Sequence, residues 1–249
     1  MRALVVGPGK MGKTIGSILA ARGHSVAREV DVGDLLTEAD PAAADVAFEF
    51  TEPSAAEACV TALLSLGIPV VSGTTGWDPS AARRLALAKG VAFLHSANFS
   101  LGIAAARRAA AAVSRLLAPF PAYEPGMVER HHSAKKDAPS GTAKLLAAEV
   151  SAQRGGAEVP IVSLRHGGQP GEHTIIFEGP DESLEIVHRA RSRALFAAGA
   201  VAAAEWLVAA RPPGPVSFDD FLDAALTSQG EGNAPQGERN RPQAGREQP

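Results

Sequence analysis

The 249-residue sequence predicts an α/β protein, in which a doubly wound parallel sheet is followed by a second α+β domain built on a mostly antiparallel open sheet. Two observations support this expectation. In the first 98 residues, short apolar runs alternate with helical patterns, as they do where parallel strands are joined by crossover helices. Further along, apolar and polar residues alternate over 173–178 (HTIIFE) and 183–190 (SLEIVHRA), which is typical of half-exposed antiparallel strands.

The composition is that of an ordinary globular protein. Hydrophobic residues make up 45% of the chain and the formal net charge is −3, which argues against a broad basic surface for nucleic acid. The single cysteine, Cys59, excludes an internal disulfide and a cysteine-rich zinc site, and we expect no metal site. No segment resembles a signal peptide and no apolar run reaches membrane-spanning length, so a cytoplasmic location is expected.

The first element is a strand over 2–6 (RALVV), which a glycine-rich turn joins to a helical pattern over 13–23. In this context a G-x-G-x-x-G pattern predicts a Rossmann-type dinucleotide site, although a tight turn without a ligand is the alternative. The glycines permit a tight turn, close approach to a pyrophosphate and close helix–strand packing, and the helix N-terminus supplies amides. The predicted contacts are Gly7, Pro8, Gly9, Lys10, Met11 and Gly12.

A second strand over 24–31 closes the β-α-β unit. It places Asp31 19 residues after Gly12, where an acidic side chain can accept hydrogen bonds from a ribose hydroxyl. Glu29 is the alternative candidate for this role. We prefer Asp31 because it stands at the end of the strand.

The alternation then continues with strands over 45–50, 68–73 and 91–96 and helices over 54–66 and 79–89. The loops at the carboxyl ends of parallel strands face the bound cofactor in this architecture. Small, hydroxylated and amide side chains in these loops suit a nicotinamide and its ribose. The predicted contacts are Gly73, Thr74 and Thr75 after one strand, and Ala97, Asn98, Phe99 and Ser100 after the next.

After residue 98 the pattern changes. We predict a helix over 101–117, strands over 159–167, 171–179 and 182–192, and final helices over 195–210 and 218–226. The segment 228–249 has no apolar residue larger than alanine, so it cannot offset its ordering entropy and is predicted to be a disordered tail. The predicted division is a dinucleotide-binding domain (1–98), a substrate-binding and oligomerisation domain (99–195), returning helices (196–227) and the tail (228–249).

Titratable residues are concentrated in 128–146 (VERHHSAKKDAPSGTAKLL). His131 and Lys135 are four residues apart and would share a face if this turn is helical. Ser140 is predicted to cap a helix whose first amides, at Gly141 and Thr142, form an anion site. A histidine with a pKa near 6.5 can shuttle protons and a charged lysine can donate one. The segment therefore predicts a carboxylate pocket with acid–base groups, and a basic surface turn is the alternative.

The block 129–143 (ERHHSAKKDAPSGTA) closely resembles the signature of the bacterial 4-hydroxy-tetrahydrodipicolinate reductases, long called dihydrodipicolinate reductases, of lysine and diaminopimelate biosynthesis. Four other blocks look like further signatures of that family, in its usual order: VSGTTGW (71–77), SANFSLGI (96–103), SLRHGGQPGEHTIIFEG (163–179) and EIVHRARSRALFAAGAVAAAEWL (185–207). The resemblance covers about residues 1–226. It implies an NADH- or NADPH-dependent reductase of a cyclic dicarboxylate.

The resemblance also implies individual roles. His131 matches the family's acid/base, Lys135 its proton donor, and His132 with Gly141 and Thr142 its substrate carboxylate contacts. The cofactor contacts that it implies are Gly7–Met11, Asp31, Gly73–Thr75 and Ala97–Ser100. It further implies that the last helices return to the nucleotide domain and that the antiparallel sheets assemble a homotetramer.

One feature of the chain departs from the family. The glycine loop is one residue shorter than the family's usual G-x-x-G-x-x-G and contains Pro8, so we expect a stiffer phosphate loop.

Three other functions fit parts of the sequence. Another two-domain dehydrogenase of an amino-acid-derived acid, such as aspartate or homoserine dehydrogenase, would share the nucleotide half but not the His-His block. A catalytically silent dinucleotide sensor would not need His131, Lys135 and an anion site together. A nucleic-acid binder is disfavoured by the net negative charge and by the absence of an extended basic stripe.

Overall fold

The computed structural model describes residues 1–31, 34 and 44–232. In chain order, the elements are β1 Arg2–Val6, α1 Lys10–Ala21, β2 Ser25–Val30, β3 Val46–Glu49, α2 Pro53–Ser65, β4 Val70–Ser72, α3 Ser80–Lys89, β5 Phe93–His95, α4 Leu101–Leu117, β6 Glu124–His131, α5 Gly141–Ala152, β7 Ile161–Arg165, β8 Gly171–Glu178, β9 Ser183–Ala190, α6 Ala194–Ala210, β10 Pro215–Val216 and α7 Phe218–Gly232.

The first sheet has six parallel strands in the order β10-β5-β4-β3-β1-β2. The chain runs outward from β1 in both directions, to β2 on one side and to β3, β4 and β5 on the other. Such a reversal of strand order opens a crevice at the carboxyl edge of the sheet, between the loops that follow β1 and β3. The predicted α/β fold class is therefore confirmed, and the topology places the crevice beside the glycine loop.

Alternate residues of this sheet face two separate cores. Val5 and Phe48 pack against α1, α6 and α7, whereas Leu4 and Val70 pack against α2 and α3. Both faces are covered by helices, which explains why the strands are almost continuously apolar. Phe48 is fully buried, and its truncation to alanine would cost about 3–5 kcal/mol.

The second sheet has the order β7-β6-β8-β9 and is mixed, because β6 and β7 are parallel whereas the other pairs are antiparallel. Its inner face packs on α4 and α5 through Met127, Ile175 and Phe177. The chain then returns to the parallel sheet, where Glu205 of α6 accepts hydrogen bonds from Arg22, at the end of α1, at 2.6 and 2.8 Å.

Three elements differ from the expectation, one of them the two-residue strand Pro215–Val216 at the edge of the parallel sheet, which was not predicted. The strand Glu124–His131 was not predicted, because Pro125 and Gly126 interrupt its start and polar residues fill its end. Helix α7 continues to Gly232, five residues into the segment predicted as a tail, since a docked helix extends at little cost by backbone hydrogen bonding. The remaining part of that segment, 233–249, lies outside the described residues.

No helix in the described part of the chain is long and apolar enough to cross a membrane. The cytoplasmic location and the domain boundaries stay predictions.

Candidate active site

A cavity of about 1060 Å³ lies between the carboxyl edge of the parallel sheet and the inner end of the second sheet. The loops after β3, β4 and β5 form one wall, through residues that include Thr51, Thr74 and Asn98. The end of β6, the turn that follows it and the start of α5 form a second wall. The two halves of the chain that the sequence singled out therefore border the same space.

The geometry of the glycine loop fits a dinucleotide phosphate. Gly7 has φ +91°, and a Cβ there would collide with the carbonyl oxygen of Phe50. A Cβ at Gly12 would collide with the carbonyl oxygen of Gly7, so helix α1 packs closely on the turn. A Cβ added at Gly9 would meet no atom within 4 Å, so the space beside this residue is open. Gly9 also has no side chain that could cap the first amides of α1. These amides are therefore available to an anion.

Of the predicted phosphate loop, Met11 borders the cavity, and the rest of the loop lies along the same edge of the sheet, towards β2. Asp31 follows β2, is exposed, and its backbone N–H donates to the Asp34 carboxylate at 2.9 Å. This is the end of the crevice where the adenosine ribose of a dinucleotide would lie.

A buried carboxylate that the sequence analysis missed supports the loops after β3 and β4. Glu49 is fully buried and accepts hydrogen bonds from Ser72 Oγ and Thr74 Oγ1, both at 2.6 Å. It also accepts from the backbone N–H and the hydroxyl of Thr51, at 3.0 and 2.6 Å. The signal in the sequence is an acidic residue inside the apolar run 46–50, which needs buried hydrogen-bond donors nearby.

Six of the seven predicted contacts in the loops after β4 and β5 border the cavity: Gly73, Thr74, Thr75, Ala97, Asn98 and Phe99. Ser100 is instead buried as the N-cap of α4, where its hydroxyl accepts a hydrogen bond from the Ile103 N–H at 3.1 Å. The structure therefore places Ser100 away from this cavity and gives it a helix-capping contact.

The turn after His131 is not helical. His131 is the last residue of β6 and is buried, and 132–140 form turns and irregular backbone. The condition under which His131 and Lys135 would share a helix face is therefore not met. Both residues nevertheless border the cavity, and the charge of Lys135 is one of the groups that lower the pKa of His131.

Lys135 is held by a neighbouring carboxylate. Its Nζ donates to Asp137 Oδ1 at 2.6 Å. This hydrogen bond, from the ammonium group, holds the pKa of Asp137 below its usual value. The pair keeps the ammonium group at the cavity wall.

The start of α5 has the geometry of the predicted anion site. Ser140 caps the helix by accepting from the Ala143 N–H at 3.2 Å. Gly141 and Thr142 are the first two residues of the helix and border the cavity, as does His132. Their amide N–H groups lie at the positive end of the helix dipole, which favours a carboxylate.

Glu129 and Arg165 complete the surroundings of His131, and the sequence analysis missed both. His131 Nδ1 forms a hydrogen bond with Glu129 Oε2, and Arg165 Nη2 donates to Glu129 Oε1 at 2.5 Å. Burial raises the pKa of Glu129, but the hydrogen bonds from Arg165 and His131 outweigh it and bring this pKa to about 2. Burial lowers the pKa of His131, and the charge of Glu129 opposes that shift in part.

Two further histidines, His173 and His188, continue the row of rings that begins with His131. The rings of His131 and His173 meet edge to face with centroids 5.2 Å apart, and His188 follows at 6.3 Å from His173. Burial, with smaller contributions from the charges of His131 and His188, lowers the pKa of His173 to about 4. The alternation along 173–178 could have placed His173 on the inner face, beside the apolar side chains of β8.

Glu129, His131 and His173 each offer one atom that could bind a metal ion, and these atoms lie within 4.8 Å of one another. Their chemistry is nevertheless that of a hydrogen-bond network. Both oxygens of Glu129 already accept hydrogen bonds, one of them from the Arg165 guanidinium, whose charge would repel a cation.

Comparison with known proteins agrees with this geometry. The family model described as "Dihydrodipicolinate reductase, N-terminus" matches residues 1–99, and the one described as "Dihydrodipicolinate reductase, C-terminus" matches residues 102–222. The chain is 35% identical to the 4-hydroxy-tetrahydrodipicolinate reductase of Christiangramia forsetii, over 83% of this chain and 92% of that one. It is 37% identical to the enzyme of the same name from Natronomonas pharaonis, over 88% and 99% of the two chains.

A solved structure shares the fold. The dipicolinate-bound dihydrodipicolinate reductase of Paenisporosarcina sp. TG-14 superimposes with a TM-score of 0.71 at 22% identity, covering 87% of this chain and 97% of that one. The matches to both family models and the identities above 30% over most of the chain lead to one assignment. This chain belongs to the dihydrodipicolinate reductase family.

Proposed function

We propose that this protein is an NADH- or NADPH-dependent 4-hydroxy-tetrahydrodipicolinate reductase, which forms tetrahydrodipicolinate for lysine and diaminopimelate biosynthesis. One observation carries the proposal. The strand-end loops of a dinucleotide-binding sheet and the His131–Lys135 turn border a single cavity, so a nicotinamide and a dicarboxylate can meet there. The names of the two relatives at 35% and 37% identity support the same activity.

The substrate would bind at the start of α5. Its carboxylates suit the amides of Gly141 and Thr142, the Thr142 hydroxyl, His132 and the Lys135 ammonium, all at the cavity wall. The relative from Paenisporosarcina carries dipicolinate, a planar ring with two carboxylates, which supports this class of ligand. The fixed amide dipoles and the lysine charge would also stabilise the negative charge that develops as hydride arrives.

The cofactor would lie along the carboxyl edge of the parallel sheet. The amides of Gly9 and Lys10 at the start of α1 would hold its phosphates, and Asp31 the adenosine ribose. Thr74 and Asn98 would then contact the nicotinamide end, at the cavity. When bound, the nicotinamide cofactor supplies the hydride.

The reaction balances with one proton delivered by the protein. Water leaves from C4 of 4-hydroxy-tetrahydrodipicolinate, C4 of the resulting dihydropyridine accepts the hydride, and the adjacent ring carbon takes a proton. Lys135 Nζ is the proposed proton donor, because it is a charged amine at the cavity wall. His131 Nε2 is the second candidate, and Asp137 holds the lysine in place.

We also propose a homotetramer that forms through the outer face of the second sheet. Val162, Leu164 and Val187 are exposed on that face, with exposed fractions of 57%, 40% and 37%. Apolar side chains in such numbers on an open sheet favour a protein–protein contact. Light scattering of the wild type and of Val162→Asp tests it: the wild type should be tetrameric and the variant smaller.

An absorbance assay of nicotinamide oxidation tests the function. The enzyme is mixed with NADH or NADPH and with enzymatically prepared 4-hydroxy-tetrahydrodipicolinate, and parallel mixtures contain oxaloacetate with ammonia. Oxidation with the cyclic substrate alone is the expected result. Oxidation only with oxaloacetate and ammonia would instead indicate an aspartate dehydrogenase.

A further inference from the structure

The carboxylate of Glu129 lies directly behind His131 and has no part in the reaction as written above. The two residues are two apart on β6, so their side chains lie on the same inner face of the sheet. Glu129 is fully buried. Its Oε2 contacts His131 Nδ1, and its Oε1 accepts hydrogen bonds from Arg165 Nη2 at 2.5 Å and from the Ser140 N–H at 3.3 Å.

Glu129 is ionised at neutral pH, because its pKa is about 2. A carboxylate can only accept hydrogen bonds, so the contact with His131 requires a proton on Nδ1. A neutral imidazole carries one N–H, which leaves Nε2 as the acceptor nitrogen. Nε2 lies on the Gly171 side of the ring, where a Cβ added at Gly171 would be 2.9 Å away, and both residues border the cavity.

We infer that Glu129 is a positioning residue for His131: by accepting the Nδ1 proton it fixes the orientation and tautomer of the ring, so that Nε2 is the nitrogen that exchanges a proton in the cavity. The inference rests on the proposed function, because it assumes that His131 acts on the substrate. Arg165, on the neighbouring strand β7, keeps the carboxylate charged and in place.

Glu129 is also the group that favours the protonated form of His131. Burial, Lys135 in the turn after β6 and Arg165 on β7 lower the pKa of this histidine, and His173 on β8 packs on its ring. Glu129 raises that pKa through its hydrogen bond and its charge. Removal of the charge therefore lowers the pKa of His131, and the kinetic limb that reports His131 must move to lower pH.

The chain offers a matched control. Glu172 on β8 is a second buried carboxylate of the same sheet, and it pairs with Arg189 at 2.9 Å and with Gln169 at 3.0 Å. No described contact joins it to His131, so Glu172→Gln removes a buried, paired charge without touching the proposed dyad.

The experiment compares the pH dependence of kcat/KM in the wild type, Glu129→Gln, Glu129→Asp and Glu172→Gln, with His131→Gln identifying the limb that belongs to His131. A charge-assisted hydrogen bond is worth about 1.5–3 kcal/mol, so Glu129→Gln should lower the midpoint by about 1–2 pH units and kcat by at least about tenfold. Glu129→Asp keeps the charge and should retain a midpoint nearer the wild type. Glu172→Gln should leave the midpoint unchanged.

A midpoint that stays in place in Glu129→Gln, or moves equally in Glu172→Gln, overturns the inference. The tautomer of His131 can also be measured directly by NMR on wild-type protein labelled with ¹⁵N-histidine. This measurement does not depend on turnover, and the His131→Gln variant is needed only to assign the His131 signal. Neutral His131 should carry its proton on Nδ1, and a proton on Nε2 contradicts the inference. Absence of any turnover in the wild type would count against the proposed function. The NMR measurement would still test whether Glu129 fixes the tautomer of His131.

Discussion

The side-chain amide of Asn98 lies 3.3 Å from the hydroxyl of Thr142 and donates to it. Asn98 follows β5 at the carboxyl edge of the parallel sheet, and Thr142 belongs to the first turn of α5. This contact joins the wall proposed for the nicotinamide to the wall proposed for the substrate carboxylate. Binding at one wall should therefore respond to changes at the other.

Thr142→Val should weaken substrate binding. The change removes the hydroxyl but keeps the shape of the side chain, and a hydrogen bond to a charged group is worth about 1.5–3 kcal/mol. We expect KM for the cyclic dicarboxylate to rise by about 10- to 100-fold in steady-state kinetics. Thr142→Ser retains the hydroxyl and serves as the control, and equal KM values for Val and Ser variants would remove Thr142 from the substrate site.

Lys135→Ala should lower turnover far more than it weakens cofactor binding, because Lys135 borders the cavity in the turn after β6 and not in the loops predicted to contact the nicotinamide. The loss of a general acid is worth about 10²–10⁴ in rate. Lys144→Ala, an exposed lysine on α5, is the control. The measurements are kcat and the Kd of NADH from fluorescence titration. A loss of NADH affinity with kcat intact would contradict the proposed role of Lys135 as proton donor.

The parallel sheet and the basic motif could be read from the sequence because their signals are local. Strand, glycine turn and helix lie together in the first 23 residues, and Ser140, Gly141 and Thr142 follow one another at a helix start. Local spacing did not establish the backbone of the turn, since the four-residue separation of His131 and Lys135 would place them on one face only in a helix, and β6 ends at His131 instead.

The residues that were missed depend on long-range pairing. In the sequence, Glu129 is one of several consecutive polar residues and nothing distinguishes it. In the structure, β6 pairs with β7, and this pairing brings Arg165 next to His131. His173 and His188 come together because β8 and β9 pair in register. No spacing within the chain predicts that register, because it is set by the packing of the whole sheet.

Asp31→Ala should shift cofactor preference towards NADPH. The carboxylate at the end of β2 favours a free ribose hydroxyl and repels a 2′-phosphate, so we expect the wild type to use both cofactors, with NADH preferred or nearly equal. Glu29→Ala, the neighbouring exposed acid, distinguishes the alternative candidate. The measurement is kcat/KM for each cofactor, and a wild-type preference for NADPH above about tenfold, roughly 1.4 kcal/mol, would refute this role of Asp31.

Stability should fall on acidification because of His173. Its folded pKa of about 4 is below the ordinary value near 6.5, so the unfolded chain binds the proton more tightly between these values. The free energy of unfolding should therefore decrease as the pH falls from 6.5 to 4, by on the order of 3 kcal/mol. Urea unfolding across this range should show a shallower pH dependence in His173→Asn than in the wild type or in His166→Asn, an exposed control. Identical slopes in all three proteins would contradict this origin.

The most direct test of the proposed reaction follows the hydride itself. Wild-type protein is supplied with 4-hydroxy-tetrahydrodipicolinate and with a reduced nicotinamide cofactor that carries deuterium as the transferred hydrogen on C4 of its nicotinamide ring. The product is then examined by mass spectrometry and NMR. We expect one deuterium per molecule of tetrahydrodipicolinate, located at C4 of the ring. Oxidation of the cofactor without deuterium at that carbon would contradict the proposed reaction.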